Sequence, residues 1–232
     1  MAGKDKAIQI AIDGPAGAGK STVARMVAQV LHYKYLDTGA MYRAIAIAML
    51  EAQVLPSNDK AIASILKSCQ IEIRNDGQGG NLLYLNGKDV TQQIRQEKIS
   101  NTVSDFANVQ AIRKFLIEKQ QAMASSGGVV LDGRDIGTIV LPDAELKIYL
   151  TAALALRAKR RHAELNDNNI TLAELTELID RRDEKDANNL YGPMRAAPDA
   201  ITIGTDHLSI SNVVEKIVSL AMEKISTHFS VS

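Results

Sequence analysis

The chain is short of the residues and patterns that mark several large classes of protein. Cys69 is the single cysteine among 232 residues, which excludes an intramolecular disulfide and a cysteine-built zinc site and suits a reducing compartment. Charge of either sign is not in excess: Lys plus Arg and Asp plus Glu number 27 each. No global field therefore points to nucleic acid or an acidic membrane, and any electrostatic recognition has to be local. No apolar run approaches the roughly 20 residues of a membrane span. Met1 to Lys6 is short and charged, with no apolar signal segment behind it. His32, His162, His207 and His228 fall at no ligand spacing, and there is neither an internal repeat nor a low-complexity tract. These absences predict a soluble, cytoplasmic protein with no nucleic-acid or membrane partner, and the even charge suits a monomer.

What is present is sufficient for a full core: 46% of the residues are apolar types, enough for one domain with inserted lobes. The most informative stretch is Ala7 to Thr22, an apolar run that ends in a glycine-rich turn with one lysine and two hydroxyls. From Gly14 to Ser21 it fits G-x-x-x-x-G-K-[ST], preceded by a buried-strand pattern and followed by a helical pattern of Val23, Ala24, Val27 and Leu31. This is a P-loop. Its glycines, Gly14, Gly17 and Gly19, allow left-handed backbone and bring N–H groups close to phosphate oxygens. Gly14, Pro15, Ala16, Gly17, Ala18, Gly19, Lys20, Ser21 and Thr22 are the expected nucleotide cradle at a helix N-terminus. Lys20 would reach the β- and γ-phosphates, and the Ser21 hydroxyl would join a Mg²⁺ coordination sphere.

Along the chain, Tyr33 to Leu36 reads as a second strand, running into Asp37-Thr38-Gly39-Ala40-Met41-Tyr42-Arg43. Helical patterns follow with Ile45, Ala48, Met49 and Ala52, and then with Ile62, Ile65, Leu66 and Cys69. From Gln70 to Val90 the period drops to two, with turn chemistry at Asn75-Asp76-Gly77 and Asn86-Gly87, which predicts a small antiparallel insert outside the main sheet. One long helix is expected from about Thr102 to Ala124. Strands are expected at Val129 to Leu131, Leu146 to Leu150 and Ile201 to Ile203. Thr171 and Glu174 form a capping-box pattern, and a closing amphipathic helix carries Ile210, Val213, Val214, Ile217, Val218 and Ala221. Alternating strands and helices predict an α/β fold, a five-stranded parallel doubly wound sheet with ligands at the carboxyl ends of its strands.

A P-loop alone names a superfamily. The chain has no Asn-Lys-x-Asp guanine-reading motif and no Leu-Ser-Gly-Gly-Gln signature, which favours a small kinase over a GTPase or a transporter ATPase. At Asp37 to Arg43 and at Asp132-Gly133-Arg134-Asp135-Ile136-Gly137-Thr138 it closely resembles the bacterial cytidylate kinase family. Arg182-Asp183-x-x-Asp186, the β insert and the last helix match that family in order and spacing. The resemblance implies a P-loop kinase with a core of residues 1–37, 107–156 and 198–228, a monophosphate-binding lobe of 38–106 with its insert at 70–90, and a lid of 157–197. It implies transfer of the γ-phosphoryl group of ATP, with Mg²⁺, to CMP or dCMP. By the same resemblance, Ser104, Arg113 and Asp135 read the base, Thr38, Arg43 and Arg134 hold the acceptor phosphate, and Arg182 and Asp186 hold the sugar. Arg157 and Arg161 resemble lid arginines that act with Lys20 and Arg134 on the transferring phosphate.

The base assignment agrees with the chemistry. Cytosine offers an amino donor at N4 and acceptors at N3 and O2, so its reader needs a carboxylate and a donor. Uracil places a carbonyl against that carboxylate, at a cost of about 1 to 3 kcal/mol for an unpaired buried group. One position departs from the family: Asn189 stands where a further phosphate-binding arginine is usual, so either the monophosphate is held less tightly or another residue, such as Arg195, has taken over. Several alternatives stay open. Arg134 with Asp135 would read as a loop ion pair, and Arg157, Lys159, Arg160 and Arg161 as a solvated helix face. Asp132 either orients the metal or braces its loop. Tyr42 reads as packing. A P-loop kinase for another small acceptor and a non-catalytic nucleotide-sensing module are the rival functions.

Overall fold

The computed structural model describes residues 7–77, 80–165 and 170–228, so the charged N-terminal stretch read above lies outside the described residues. Strand β1 (Gln9–Asp13) is the apolar run that leads into the P-loop, and helix α1 (Lys20–Leu31) carries the pattern that follows it. Strand β2 (Lys34–Asp37) comes next. The Asp37 side chain then accepts from Ala40 N at 2.8 Å and caps helix α2 (Thr38–Glu51). Helix α3 (Asp59–Ser68) leads to the insert, which is a separate three-stranded antiparallel sheet of β3 (Ile71–Asn75), β4 (Asn81–Leu85) and β5 (Lys88–Asp89). After a 3₁₀ turn the chain forms α4 (Glu97–Phe106), α5 (Gln110–Ala124) and β6 (Val129–Gly133). A short π-helical segment, Ile136–Val140, precedes β7 (Leu146–Thr151), α6 (Leu154–Leu165), α7 (Leu172–Ala187), β8 (Ile201–Gly204) and α8 (Ile210–His228).

The main sheet has five strands in the order β2-β6-β1-β7-β8, every pair parallel. Because β1 lies at the centre, its residues are covered on both faces, which explains an apolar run without alternation. Ile10 and Ile12 pack with Val23 and Val27 of α1 and with Val213 and Ile217 of α8. Ala11 faces the other side, with Leu131, Ala124 and Val140. The register sets Asp13 opposite Gly133 and Asp37 opposite Asp132. Three aspartates therefore stand together at the carboxyl edge of β1, β6 and β2, where a doubly wound sheet places its ligands.

A second core lies beside the sheet. Met41, Ile45 and Met49 of α2 are fully buried there with Ile62, Leu83, Leu85, Val103 and Phe106. The insert is thus welded into this lobe by its inward leucines. Helix α5 joins the two parts, because Ile112 and Leu116 pack in the lobe while Ala124 packs under the sheet.

The single helix expected from Thr102 to Ala124 is two. Helix α4 stops at Phe106, and Val109 is extended, with φ −85° and ψ 119°. The break has a local cause: the side chain of Asn108 donates to Ser104 O at 3.1 Å and takes the carbonyl that a continuing helix would give to the Asn108 backbone. Phe106, buried in the lobe core, anchors the turn. The capping box at Thr171 is formed as the sequence indicates, with Glu174 N donating to Thr171 Oγ1 and Thr171 N to Glu174 Oε2.

Candidate active site

The site begins at the P-loop. Helix α1 opens on Gly19 in a left-handed conformation, φ 90°, with no side chain capping the helix and no acid in its first turn. Space is open where a Cβ on Gly19 would point. The first-turn N–H groups are thus presented to an incoming anion and not to the protein's own side chains. Gly17 has a different reason to be glycine: a Cβ there would press within 3.0 Å of Arg157 on α6, so the loop and that helix touch backbone to backbone.

Lys20 is buried and donates to Pro15 O at 2.8 Å. Burial, and then the positive charge of Arg134, push its pKa down, while Asp132 and Asp13 oppose them. Asp13 accepts from Ile136 N and Gly137 N at 2.8 and 2.7 Å, fixing the turn after β6 against β1. Burial raises its pKa to about 6 in spite of those two donors. Asp132 is buried, with its pKa raised chiefly by burial. It accepts from Ser21 Oγ at 2.7 Å and from Tyr35 OH at 2.9 Å, and its carbonyl accepts from Thr38 Oγ1 at 2.7 Å. Asp132 thus braces its loop and also holds the Ser21 hydroxyl.

Arg134 and Asp135 are not an ion pair with each other. They diverge, Arg134 toward α7 and the P-loop, Asp135 toward α5. Arg134 Nε donates to Asp186 Oδ2 at 2.7 Å and Nη1 to Gly14 O at 3.0 Å. Asp135 takes the guanidinium of Arg113 through Oδ2, both side chains being buried. Burial raises the Asp135 pKa and Arg113 opposes it. Arg43 pairs with Asp37 at 3.1 Å. Burial lowers the pKa of Arg182 to about 10, with Arg134, Arg43 and Arg161 adding repulsion and Asp186 countering. Lys20, Arg134, Arg182 and Arg43 thus form a cationic line from the P-loop to the lobe.

Two of those side chains carry orphaned donors. Arg113 Nε and Arg182 Nε are buried without a hydrogen-bond partner, the rest of that set among the described residues being the amide of Gln120. Such groups call for an explanation in a native structure. Tyr42 is partly buried beside Arg113, whose Cζ lies 6.0 Å from the ring centroid, and packs on the lobe core.

The arginines of α6 do not present one solvated face. Arg157 is buried, donating to Ala152 O at 3.0 Å and Ala16 O at 2.9 Å and pairing with Asp183, which also accepts from Ala16 N at 3.0 Å. Arg160 is tied to Thr205 through Oγ1 and O, whereas Arg161 is exposed beside Glu164. Ser104 is half-buried on α4, and its carbonyl accepts from Asn108 Nδ2 at 3.1 Å. Asn189 braces a turn, donating to Ala107 O at 3.4 Å and accepting from Tyr191 N at 2.9 Å. Arg195 is exposed and lines a cavity of about 420 Å³ with Gly137, Thr138, Pro142, Lys147, Ala196 and Pro198, none of which belongs to the arginine cluster.

Sequence reasoning missed Asp13, Tyr35, Asp183 and Gly192 as site residues. A Cβ on Gly192 would overlap Arg113 Nη2 and Asp135 Oδ2, so this turn sits directly on the buried pair. Nothing local in the sequence signals that, because the contact joins α5, the loop after β6 and the segment after α7. Asp13 had a signal, a polar residue closing an apolar strand one step before the loop.

The sheet order, the uncapped glycine turn and the buried lysine followed by a serine hydroxyl held by Asp132 define a P-loop kinase. A gluconokinase from Sinorhizobium meliloti has this fold, with a TM-score of 0.51 at 11% identity over 99% of both chains, a likeness that shows the fold alone. The chain belongs to the cytidylate kinase family, whose family model it matches over residues 10–223. It is similar to a cytidylate kinase of Geobacillus sp. (strain WCH70), 47% identical over 94% of this chain and 98% of that protein. A cytidylate kinase of Bacillus cereus is 46% identical over 93% of this chain and 96% of its own length.

Proposed function

We propose that the protein transfers the γ-phosphoryl group of ATP to the 5′-phosphate of CMP or dCMP, and that Arg113 and Asp135 read the base. The observation that carries this reading is the pair of orphaned donors, Arg113 Nε and Arg182 Nε, both on residues to which the family resemblance gives substrate roles. Cytosine supplies what they lack: ring acceptors for Arg113, and an N4 amino group for Asp135 Oδ1, the oxygen that Arg113 leaves free. Arg43 and Arg134, which pair with Asp37 and Asp186 here, suit the acceptor phosphate with Thr38 beside them, and Arg182 and Asp186 reach the sugar.

The donor triphosphate lies in the Gly14–Thr22 cradle against the N-terminus of α1, with Lys20 on its outer phosphates. The donor set fits Mg²⁺ arriving with ATP: Ser21 gives its proton to Asp132 and so keeps lone pairs for a hard cation. Among the described residues no group of three or more His, Cys, Asp or Glu side chains could hold a metal by itself. Held beside Ser21, the cation would supply neutralisation of the triphosphate's charge.

The protein's own contribution is alignment and electrostatics. The acceptor phosphate is an anion at neutral pH and needs no general base. Arg134 touches the P-loop carbonyl of Gly14 and lies within the acceptor cluster, so it holds donor and acceptor in one frame. Arg157 and Asp183 tie α6 and α7 to Ala16, making the lid continuous with the cradle, and Arg161, exposed and paired only with Glu164 in the ion pairs described, closes over the phosphates. Closure excludes water that would hydrolyse ATP. No helix among the described residues is long and apolar enough to cross a membrane, and a cytoplasmic monomer fits a kinase of free nucleotides.

The test is ADP formation with ATP and Mg²⁺ on CMP, dCMP, UMP, AMP and GMP beside a control without acceptor. Turnover confined to the two cytidine nucleotides supports the reading. Turnover on an unrelated small acceptor instead, or ATP binding with no turnover on any, overturns it.

A further inference from the structure

Asp132 is buried at the end of β6, and its two carboxylate oxygens are divided between two hydroxyl donors. Ser21 Oγ donates to Oδ2 at 2.7 Å, and Tyr35 OH donates to Oδ1 at 2.9 Å. Tyr35 comes from the neighbouring strand, opposite Val130 and two residues before the Asp37–Asp132 register pair. Its ring packs against the core that holds α1. Its backbone carbonyl accepts from Asn81 Nδ2 at 2.9 Å, which ties the same residue to the first position of β4 in the insert.

A serine hydroxyl that ligates a metal through its lone pairs has to send its single proton elsewhere. Asp132 receives it, but a carboxylate held on one oxygen can still turn about its side-chain torsions. The phenol of Tyr35 removes that freedom by engaging the other oxygen.

We propose that Tyr35 is a positioning residue for the metal: it locks Asp132 so that the Ser21 hydroxyl keeps its lone pairs turned toward the cation bound with the nucleotide. This rests on the P-loop kinase reading of the site and names a residue that reading does not use. The Tyr35 hydroxyl acts on Ser21 through Asp132 and by its own hydrogen-bonding contact with the Ser21 side chain, so it belongs to the outer shell, where substitutions cost about 10- to 100-fold in metal affinity. It acts on the cation and leaves the cradle for the phosphates intact, because Tyr35 touches neither the loop backbone nor Lys20 in the hydrogen bonds described.

The experiment is Mn²⁺ binding to the protein·ADP complex, followed by electron paramagnetic resonance, in the wild type and in Tyr35→Phe, which keeps the ring and removes the hydroxyl. The expected result is Mn²⁺ affinity weaker by roughly 10-fold or more, with metal-free ADP affinity and CMP affinity each within about twofold of wild type by the outer-shell argument. Equal Mn²⁺ affinity in the two proteins overturns the role of Tyr35 and leaves the kinase reading standing. Parallel loss of metal-free ADP binding also overturns it, since that marks a merely structural role. A wild type that binds no Mn²⁺ through ADP overturns the inference together with the reading beneath it. The wild type offers a check that does not depend on the variant's folding: the Tyr35 ring ¹³Cζ resonance should move when Mg²⁺ is added to the ADP complex, and a resonance that stays fixed counts against the proposal.

Discussion

At the residue scale the site depends on where each charge finds its partner. Arg134 and Asp135 are neighbours in sequence, and the turn after β6 sends one to α7 and the other to α5. Their residue types announced recognition of a charged or polar ligand, but adjacency suggested a pair that does not form. The P-loop was fully legible, because its spacing encodes a local conformation. Tyr35, Asp183 and Gly192 were not, because each acts on a residue far along the chain. Gly192 gives a direct test. A side chain there has to displace the buried Arg113–Asp135 pair, an overpacking cost of about 1 to 3 kcal/mol. Gly192→Val should therefore raise the KM for CMP by ~5-fold or more. ATP affinity, measured by calorimetry, should be unchanged, since the P-loop lies at the other end of the arginine line.

Among the elements, the insert and the split helix carry the lesson. Period-two patterning identified β3 and β4 and the Asn86-Gly87 turn, and the antiparallel sheet is separate from the main one, as that polarity implied. What patterning could not show is that Leu83 and Leu85 are buried against α2, so that the insert helps to hold the helix bearing Arg43. Leu83→Ala should cost about 2 to 5 kcal/mol, read as a lower midpoint in urea unfolding. The break between α4 and α5 contains neither proline nor glycine and depends on one side-chain hydrogen bond from Asn108. A periodicity argument runs straight through such a break, because Val103, Phe106, Ile112 and Leu116 all remain buried on the same lobe core.

For the whole molecule, strand order makes one crevice out of distant segments. The alternation of strands and helices was enough to predict a doubly wound sheet, and the centre of that sheet is the P-loop strand. The lobe, reached through α2 and α5, and the α6–α7 pair, tied to Ala16 and packed against Gly17, flank that crevice on two sides. Binding in such a crevice stabilises the fold as a unit. At nucleotide concentrations about 100-fold above Kd the gain is about 2.7 kcal/mol, which for a chain of this size moves Tm by roughly 5 to 11 °C. Thermal unfolding with Mg²⁺ and ADP, and separately with CMP, should show such a rise for each. UMP at the same concentration should give a smaller one.

The base-reading role of the buried pair is the claim on which specificity rests, and one ratio tests it: kcat/KM for CMP over kcat/KM for UMP, compared between wild type and Asp135→Asn. A ratio is the right readout because loss of the carboxylate also leaves Arg113 buried without its partner, a destabilisation common to both substrates. In the wild type the unpaired group that uracil would bury favours CMP by about 5- to 150-fold, the equivalent of roughly 1 to 3 kcal/mol. An amide accepts from the cytosine amino group or donates to uracil O4 with equal ease, so the ratio should fall toward unity in Asp135→Asn. A ratio unchanged by the substitution, or a wild type that uses both nucleotides equally, would contradict the assignment of Arg113 and Asp135 as the cytosine reader.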